Sequence, residues 1–552
     1  MASRWADIPE EEVLVDREQN RLPLDLTLGV EFEFVLLQDL RKDNTSRLFL
    51  GQKMIADTLM KGLRGKCATC GKEHDLQLPV QSADTYTSAD YRQWTTEQDE
   101  SVNVGTLRSK YPKEFEHIRV HACELRSRIL RVNRNLQTTE DPEVPGHRHE
   151  ISYQEEIKII LDRLRTTFNS PSGKAGWRML VNDSCGFHVH LGNDNKCFPL
   201  PTAKNVLSLY LANEKAIDAI HSLDRIDGST LGNDPRREGV SPELRNIAKP
   251  PAYNKPFSFH FAYLLHQVVA YTQLEDASRW PKKRILEDPE FRELCSRNDL
   301  CSWLTIIDEA EDIRDFFSLQ TKYHNHSSAI DTMGLLPYDE RGVEPNFGRK
   351  LTFEFRQHAG TVDSTEALAW IDVLTHIVNY AHENTEDDVQ YGCVDDWRNP
   401  DYETLHFLKK VGFEPTDPVF QHYQHVLGLN ADASATSYAD ECREREELMA
   451  RSFGDDDLFL GMMDLNAKLN HRNRDLYLIR KRIEAKFLAG CYGQFEEGSF
   501  LVALMYPEDA LTEEERMKLT QGWRPAIVPS DSSPDDVSDD GLFAISLGEE
   551  SG

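Results

Sequence analysis

Three short segments that lie far apart in the chain alternate ionisable residues with apolar ones. They read Gly29-Val-Glu-Phe-Glu-Phe34, Cys185-Gly-Phe-His-Val-His-Leu191 and Leu351-Thr-Phe-Glu-Phe-Arg-Gln-His358. In a β-strand, neighbouring side chains point to opposite faces, so residues two apart share a face. The alternation therefore predicts three strands, each with one ionisable face and one apolar face.

The ionisable residues are of the types that bind metal ions and phosphate. The residues predicted to share a face are Glu31 with Glu33, His188 with His190, and Glu354 with Arg356 and His358. Adjacent carboxylates repel each other unless a cation lies between them, and hard oxygen ligands suit Mg²⁺ or Mn²⁺. An arginine can hold phosphate oxygens in a bidentate fork. Together the three faces predict one metal and phosphate site assembled on a sheet.

Each segment taken singly also has a simpler interpretation. The two glutamates of the first segment could lie on the water-facing side of an amphipathic strand. His188 and His190 could be core histidines, or two ligands of a mononuclear Zn²⁺ or Fe²⁺ site. Glu354 and Arg356 could form a surface ion pair, which contributes little to stability. The presence of all three segments in one chain favours a common site.

Long helical patterns separate the predicted strands. Ser152 and Glu155 have the spacing of a capping box, and apolar residues follow them every three or four positions. Further helices are predicted over 202–221, over 256–275 and after Asp363. We therefore expect an α+β fold, in which a mostly antiparallel sheet is backed by helices on one face and open on the other.

The composition predicts four regions along the chain. Residues 1–24 have the character of an irregular leader, and residues 25–385 contain the predicted core, with an insertion at about 41–90. Residues 386–528 are polar and mostly helical in pattern, which predicts a helical C-terminal extension. Residues 529–552 are rich in Ser and Asp and contain no basic residue, so we expect an acidic disordered tail.

The bulk composition limits the classes of partner. The net charge of −31 over 552 residues argues against nucleic acid or an anionic membrane surface as the main partner. It does not exclude ATP, because a local arginine and Mg²⁺ can hold phosphate against an adverse overall field. We find no signal peptide and no run of about 18 apolar residues that could span a membrane. The ten scattered cysteines suit a reducing compartment, so we expect a cytoplasmic protein.

A Cys-x-x-Cys-Gly motif at Cys67 and Cys70, with His74 nearby, has the form of half a zinc knuckle. A four-ligand site would need another pair, and His121 with Cys123, or His147 with His149, could supply it. No spacing requires either pair. The alternative is a hairpin with reduced thiols and no metal.

In their order along the chain and in their amino-acid sequence, the three alternating segments resemble the amidoligase family, a branch of the glutamine synthetase-like carboxylate–amine ligases. The segments correspond to the first, the central and the last core strand of that family, the last extending through Thr361. Weaker similarities are found at Trp94–Val102, at Glu124-Leu-Arg-Ser127 and at Ala369-Trp-Ile371. The resemblance spans about residues 26–385. It implies a curved sheet of the glutamine synthetase-like type.

The resemblance also implies roles for individual residues. Two Mg²⁺ or Mn²⁺ ions would lie between carboxylates and the phosphates of ATP. The implied metal ligands are Glu31, His188 and Glu354 for one ion, and Glu33 and Glu124 for the other. Arg356 would bind the transferring phosphate. The implied substrate-side residues are Asp99 and His190, which would face the amine or the nucleotide, His358, and Arg225 as a second phosphate or carboxylate clamp.

The activity implied by the resemblance is ATP-dependent formation of an amide or peptide-type bond through an acyl phosphate. The acid and the amine would be small molecules, peptides or protein side chains. Two departures from the family pattern fall near the substrate side: Asp99-Glu-Ser101 stands for Asp-Gly-Ser, and Ser127-Arg128 stands for Ser-Pro. The sequence indicates neither substrate, and it does not indicate the oligomeric state.

Two other functions remain open from the sequence. A mononuclear hydrolase or oxygenase would use His188, His190 and one glutamate, and would not need Glu31 and Glu33 together. A non-catalytic scaffold on the same fold would not need the metal-binding and phosphate-binding side chains to converge, or would not bind ATP.

Overall fold

The computed structural model describes seven ranges of the chain. They are residues 22–45, 50–81, 91–102, 116–221, 287–316, 329–335 and 351–427, apart from short gaps at 77, 100, 134–135, 141–147, 170–172, 182–183, 214–215, 218, 292, 294–299, 312, 314 and 400–401. The leader up to residue 21, the predicted helix over 256–275 and residues 428–552 of the predicted extension and tail lie outside the described residues.

The described strands carry the three alternating segments. They are β1 (Leu26–Asp39), β2 (Leu63–Lys66), β3 (Glu73–Leu76), β4 (Val80–Gln81), β5 (Trp94–Glu97), β6 (Ile118–Arg126), β7 (Leu130–Arg131), β8 (Leu136–Glu140), β9 (Arg148–Ile151), β10 (Trp177–Leu180), β11 (Gly186–Asn193), β12 (Ile330–Asp331) and β13 (Thr352–Ala359). The described helices are α1 (Leu50–Leu59), α2 (Tyr153–Asn169), α3 (Leu200–Ala212), α4 (Leu300–Asp308), α5 (Ser364–Glu383), α6 (Glu386–Arg398), α7 (Thr404–Lys410) and α8 (Pro418–Val426). A 3₁₀ turn covers Met333–Leu335.

One nine-stranded sheet contains all three segments. Its main path runs β12-β13-β11-β1-β6-β5-β4, and β7 and β10 also pair with β1. Within this sheet the pairs are antiparallel, except that β4 and β5 are parallel. In the described part of the chain, the path does not close on itself. The predicted α+β class and mostly antiparallel sheet are confirmed, whereas the curvature, the glutamine synthetase-like type and the helical extension stay predictions.

The apolar face of the sheet packs against helices. Phe32 of β1 stacks on Phe187 of β11, with the ring centroids 4.7 Å apart. Tyr210 of α3 contacts Phe355 of β13 at 5.9 Å between centroids. Because residues two apart share a face, these contacts put the helices opposite the ionisable side chains.

Helix α2 is joined to the sheet by a buried polar group. Its Glu156 is fully buried and accepts hydrogen bonds from Trp94 Nε1 at 2.8 Å and from the guanidinium of Arg128 at 2.6 and 2.9 Å. At the start of the helix, Ser152 Oγ accepts from the backbone N–H of Glu155 at 3.3 Å, as the capping-box spacing predicts. These contacts fix the first turn of α2 against β5 and the end of β6.

The helices after residue 385 share the same hydrophobic core. Val389 and Cys393 of α6 are buried, and Cys393 Sγ approaches the carbonyl oxygen of Ser208 in α3 at 3.6 Å. Thr404, at the start of α7, donates to the carbonyl oxygen of Ala216 at 2.7 Å. No described helix is both long and apolar enough to cross a membrane.

Candidate active site

Strand pairing brings the three segments into direct contact. Antiparallel register places Glu31 of β1 opposite His188 of β11 and opposite Arg126 of β6. It also places Glu33 opposite Glu124. Because β1 lies between β11 and β6, residues that are more than 150 positions apart in sequence form rows across one face of the sheet.

The first group of possible metal ligands contains Glu31, His188 and Glu354. One ligand atom from each of these side chains lies within 4.8 Å of the others. Glu31 contacts both histidines: its carboxylate oxygens lie 3.3 Å from His188 Nδ1 and 3.1 Å from His190 Nε2. The side chains are shielded from water, with 13% of Glu31 and 2% of His188 exposed.

The second group contains Glu33, Asp99 and Glu124, and its ligand atoms also lie within 4.8 Å of one another. The Glu33 carboxylate is buried and accepts a hydrogen bond from the backbone N–H of Gly186 at 2.6 Å. Its other oxygen lies 3.6 Å from His188 Nε2. The two groups are therefore adjacent, and His188 lies between Glu31 and Glu33.

Two arginines lie beside these carboxylates. Arg356 is bound to Glu354 on the same strand, and Arg126 is bound to Glu97 and lies 3.9 Å from Glu124. Burial opposes the charge of the Arg356 guanidinium, but Glu354 and Glu31 outweigh it and raise the pKa of Arg356 above its ordinary value. Each arginine therefore stays cationic at physiological pH.

The carboxylates carry more negative charge than the arginines balance. Burial, followed by the charges of Glu31, Glu33 and Asp99, raises the pKa of Glu124 well above its ordinary value, and Arg126 opposes this only in part. A cation between the carboxylates would remove this repulsion.

The donor set fits divalent metal ions. Five carboxylates and two imidazoles share the face, and the buried Nε2 atoms of His188 and His190 lie near carboxylate oxygens without forming a hydrogen bond of regular geometry among the described residues. Hard carboxylate oxygens with one imidazole suit Mg²⁺ or Mn²⁺.

A β-bulge corrects one sequence prediction. On β13, Phe355 pairs with Val189 but His358 pairs with Phe187, so Arg356 and Gln357 lie together opposite a single residue of β11. The extra residue reverses the alternation, and the prediction that His358 shares a face with Glu354 and Arg356 is wrong.

The contacts of His358 agree with this register. Its ring meets Phe187 edge-on at 5.5 Å between centroids, and it lies 6.0 Å from the ring of Trp370 in α5. His358 is 3% exposed and belongs to the layer between the sheet and the helices.

The remaining predicted residues are placed as follows. His190 lies at the acidic face, which is the face of the sheet that carries Glu31, Glu33, Asp99, Glu124 and Glu354. Its Nδ1 is 3.3 Å from Thr352 Oγ1. Asp99, which was expected to face the amine or nucleotide, lies within the second ligand group, and one of its oxygens accepts from the backbone N–H of Ser101 at 2.7 Å. Arg225 lies outside the described residues.

Three residues at the face were not selected from the sequence. Arg126 and Glu97 both lie in the segments that resemble the family. Arg126 follows Glu124 by two positions on β6, and Glu97 pairs with Glu124 across β5 and β6. Asp331 is buried and pairs with Glu354 across β12 and β13. The i, i+2 spacing of Glu124 and Arg126 could have predicted that Arg126 lies on the same face as Glu124. The strand that carries Asp331 is only two residues long, so no alternation pattern marks it.

Comparison with known families concerns the segment around the two histidines. The family model described as "Putative amidoligase enzyme" matches residues 174–230. The predicted resemblance to the amidoligase family is thereby confirmed for residues 174–230, and over the rest of residues 26–385 it stays a prediction. The matched segment contains His188 and His190, while Glu31 and Glu354 lie outside it and are brought beside the histidines by strand pairing. No curated protein gives a significant match to the chain.

Proposed function

We propose that this chain is an ATP- and Mg²⁺-dependent (or Mn²⁺-dependent) carboxylate–amine ligase that forms an amide bond through an acyl phosphate. The observation that carries the proposal is the presence of two adjacent groups of metal ligands, with Arg356 bound to a member of one group. The amidoligase family match supports the reaction class.

Each ligand group would hold one divalent ion. Glu31, His188 and Glu354 form the first group, and Glu33 and Glu124 form the second with Asp99 beside them. The ions would supply positive charge to the phosphate oxygens of ATP. His188 is held by contacts to both Glu31 and Glu33, which fixes the imidazole between the two groups.

In the first half-reaction, an oxygen of the substrate carboxylate forms a bond to the γ-phosphorus of ATP. The bond from that phosphorus to the bridging oxygen breaks, and ADP leaves. Arg356 would neutralise charge on the transferring phosphoryl oxygens, and this role is supported by the position of its guanidinium among the carboxylates, which raise its pKa.

In the second half-reaction, the amine nitrogen forms a bond to the acyl carbon, and the bond from that carbon to the phosphate oxygen breaks. Inorganic phosphate leaves. The amine proton passes to a base at the same face, for which Asp99 and His190 are the candidates. No protein nucleophile is needed.

The classes of substrate follow from the reaction. The acid and amine would be small molecules, peptides or protein side chains, and the acidic net charge disfavours nucleic acid as a partner. The ten scattered cysteines suit a cytoplasmic enzyme. One departure from the family pattern, Arg128, is bound to Glu156 of α2 and so adds no charge to the acidic face.

The test is ADP formation by the full chain with Mg²⁺ and a panel of amino acids, peptides and amines, together with binding of a non-hydrolysable ATP analogue. Glu31→Gln and Arg356→Lys should each lower the rate on the order of 10²-fold, because each removes a group that stabilises phosphate charge. Arg119→Lys is the control, since Arg119 lies on β6 and contacts the carbonyl oxygen of Thr45 instead of the acidic face. Unchanged turnover in both site variants would overturn the proposal.

The mononuclear alternative makes a different prediction for the same variants. It requires His188, His190 and one glutamate, and Glu31 does contact both histidines. It gives Glu33 no role, so Glu33→Gln should leave a mononuclear enzyme active. In the two-metal ligase the same variant loses activity.

A further inference from the structure

The β2–β3 hairpin brings three soft metal ligands together far from the carboxylates in sequence. Cys67 and Cys70 lie in the turn, and His74 lies on β3 opposite Gly65. One ligand atom from each side chain lies within 4.8 Å of the others, and Cys70 Sγ is 3.1 Å from His74 Nε2. Tetrahedral zinc requires separations of about 3.5–3.8 Å between such atoms, so small side-chain adjustments suffice.

The backbone of the turn is arranged around the Cys67 sulfur. The N–H groups of Glu150, Thr69 and Cys70 donate to this sulfur, the first at 3.5 Å. Donors of this kind stabilise the negative charge of a thiolate, which is the metal-binding form. Gly71 has a φ of +71°, which only glycine adopts at low cost, and its N–H donates to the Cys67 carbonyl oxygen at 2.9 Å.

The strands of the hairpin pack on α2, where the backbone of Gly65 lies against Ile159, but residues 68–72 of the turn are exposed. Leu63 and Leu76 are buried, but the turn carries an exposed Cys70 and the strands carry exposed polar residues. A bound metal ion would fix the turn where apolar packing does not.

We propose that Cys67, Cys70 and His74 bind one Zn²⁺ ion, which holds the β2–β3 hairpin in place. Two thiolates and one imidazole suit zinc and not Mg²⁺, and the fourth position is left to water or another ligand. Binding forms two Zn–S bonds and one Zn–N bond and releases the two thiol protons to solvent. The two Cys/His pairs expected from the sequence are not needed for this site; of them, His121 stacks on Trp177 and Cys123 is buried in the sheet core.

The hairpin is connected to the sheet through α2. The backbone N–H of Lys66 donates to Glu155 in the first turn of α2 at 3.0 Å. The next residue, Glu156, holds Trp94 and Arg128 at the ends of β5 and β6. Zinc at the hairpin therefore stabilises the helix turn that supports the strands bearing Glu97 and Glu124. The proposal does not depend on the ligase reaction.

The first test is the zinc content of the full chain, purified with a thiol reductant and measured by elemental mass spectrometry. We expect one equivalent of zinc in the wild type and its loss in Cys67→Ser and in His74→Ala. Cys197→Ser is the matched control, because this partly buried cysteine lies between β11 and α3, away from the hairpin. His188→Asn separates the hairpin from the acidic face and should retain zinc. Equal zinc content in the wild type and Cys67→Ser would overturn the proposal.

A second test uses the wild-type chain alone, in case the variants do not fold. Cys70 is exposed, so its alkylation can be followed by peptide mass mapping. We expect slow alkylation with zinc present and a rate at least tenfold higher after chelation, and Co²⁺ added to the stripped chain should give thiolate-to-cobalt absorption. An alkylation rate that chelation leaves unchanged, with no cobalt absorption, would contradict zinc binding at the hairpin.

Discussion

Glu31 lies at the centre of the contacts between the strands of the acidic face. Its two oxygens contact one nitrogen of His188 and one of His190, and the residue faces Arg126 across the neighbouring strand. A carboxylate with two imidazoles and a guanidinium around it is held in a fixed orientation before any ligand binds. This preorganisation is what a metal ligand requires, because orientation after binding would cost conformational entropy.

His358 supplies a prediction at the same scale. Because the bulge places it in the helix-facing layer, His358→Ala should lower the free energy of unfolding by about 1–3 kcal/mol through loss of packing. The turnover of the folded fraction should stay within a few fold of wild type, measured by urea unfolding and ADP formation on the same samples. Arg356→Ala is the comparison, since it should abolish turnover. A stable His358→Ala protein without activity would show that the ring acts in catalysis.

The sequence predicted the chemistry of these residues better than their positions. Alternation placed Glu354 and Arg356 correctly on one face, but it failed at His358 because a bulge leaves no mark in the alternation of residue types. Arg126 was missed because its importance depends on β6 lying beside β1, which the sequence does not reveal.

At the scale of elements, α2 is hydrogen-bonded to the ends of β5 and β6, the strands that carry Glu97 and Glu124. Glu156 is completely buried and has Arg128 as its ionic partner and Trp94 as a neutral donor. Removing one member leaves a buried charge without compensation, which is more destabilising than the loss of an exposed ion pair.

This contrast gives a second prediction. Glu156→Ala should lower the free energy of unfolding by about 3–5 kcal/mol, measured by urea denaturation. The control on the same helix is Lys158→Ala, whose pair with Asp162 is exposed and should change stability by at most about 0.5 kcal/mol. Similar effects of the two substitutions would mean that Arg128 finds another partner when Glu156 is absent.

Helix and strand positions followed from local patterns. The cap at Ser152 and the strands β1, β11 and β13 were predicted from the sequence. The strand order was not visible, because β1 lies inside the sheet although it comes first among the described strands, and its neighbours β6 and β11 are separated in the chain by β7, β8, β9, α2 and β10.

At the scale of the whole molecule, the protein places several carboxylates on a largely shielded face of the sheet while carrying a net charge of −31. Both features make the metal-free chain self-repelling. Divalent ions that bind the folded chain and not the unfolded one should therefore stabilise it by mass action.

The corresponding measurement is thermal unfolding after chelation and then with added Mg²⁺ or Mn²⁺ at constant ionic strength. At a concentration a hundredfold above the dissociation constant we expect a gain of about 2.7 kcal/mol. The gain should be largely lost in the double variant Glu31→Gln with Glu33→Gln. Glu383→Gln removes charge from an exposed position at the end of α5 and should keep the full gain. An equal gain in all variants would indicate nonspecific counterion binding.

The bulge at Arg356 and Gln357 has a consequence for comparing this chain with its relatives. Gln357 accepts a hydrogen bond from Tyr210 of α3, so Gln357 and His358 both face the helices, whereas in an unbroken strand the residue two positions after the arginine would return to the acidic face. A gap-free alignment with a relative whose strand is unbroken would then pair His358 with an acidic-face position of that relative and transfer the wrong role to it. Alignments of this segment should therefore allow a one-residue gap between the arginine and His358, so that helix-facing residues are paired with helix-facing residues.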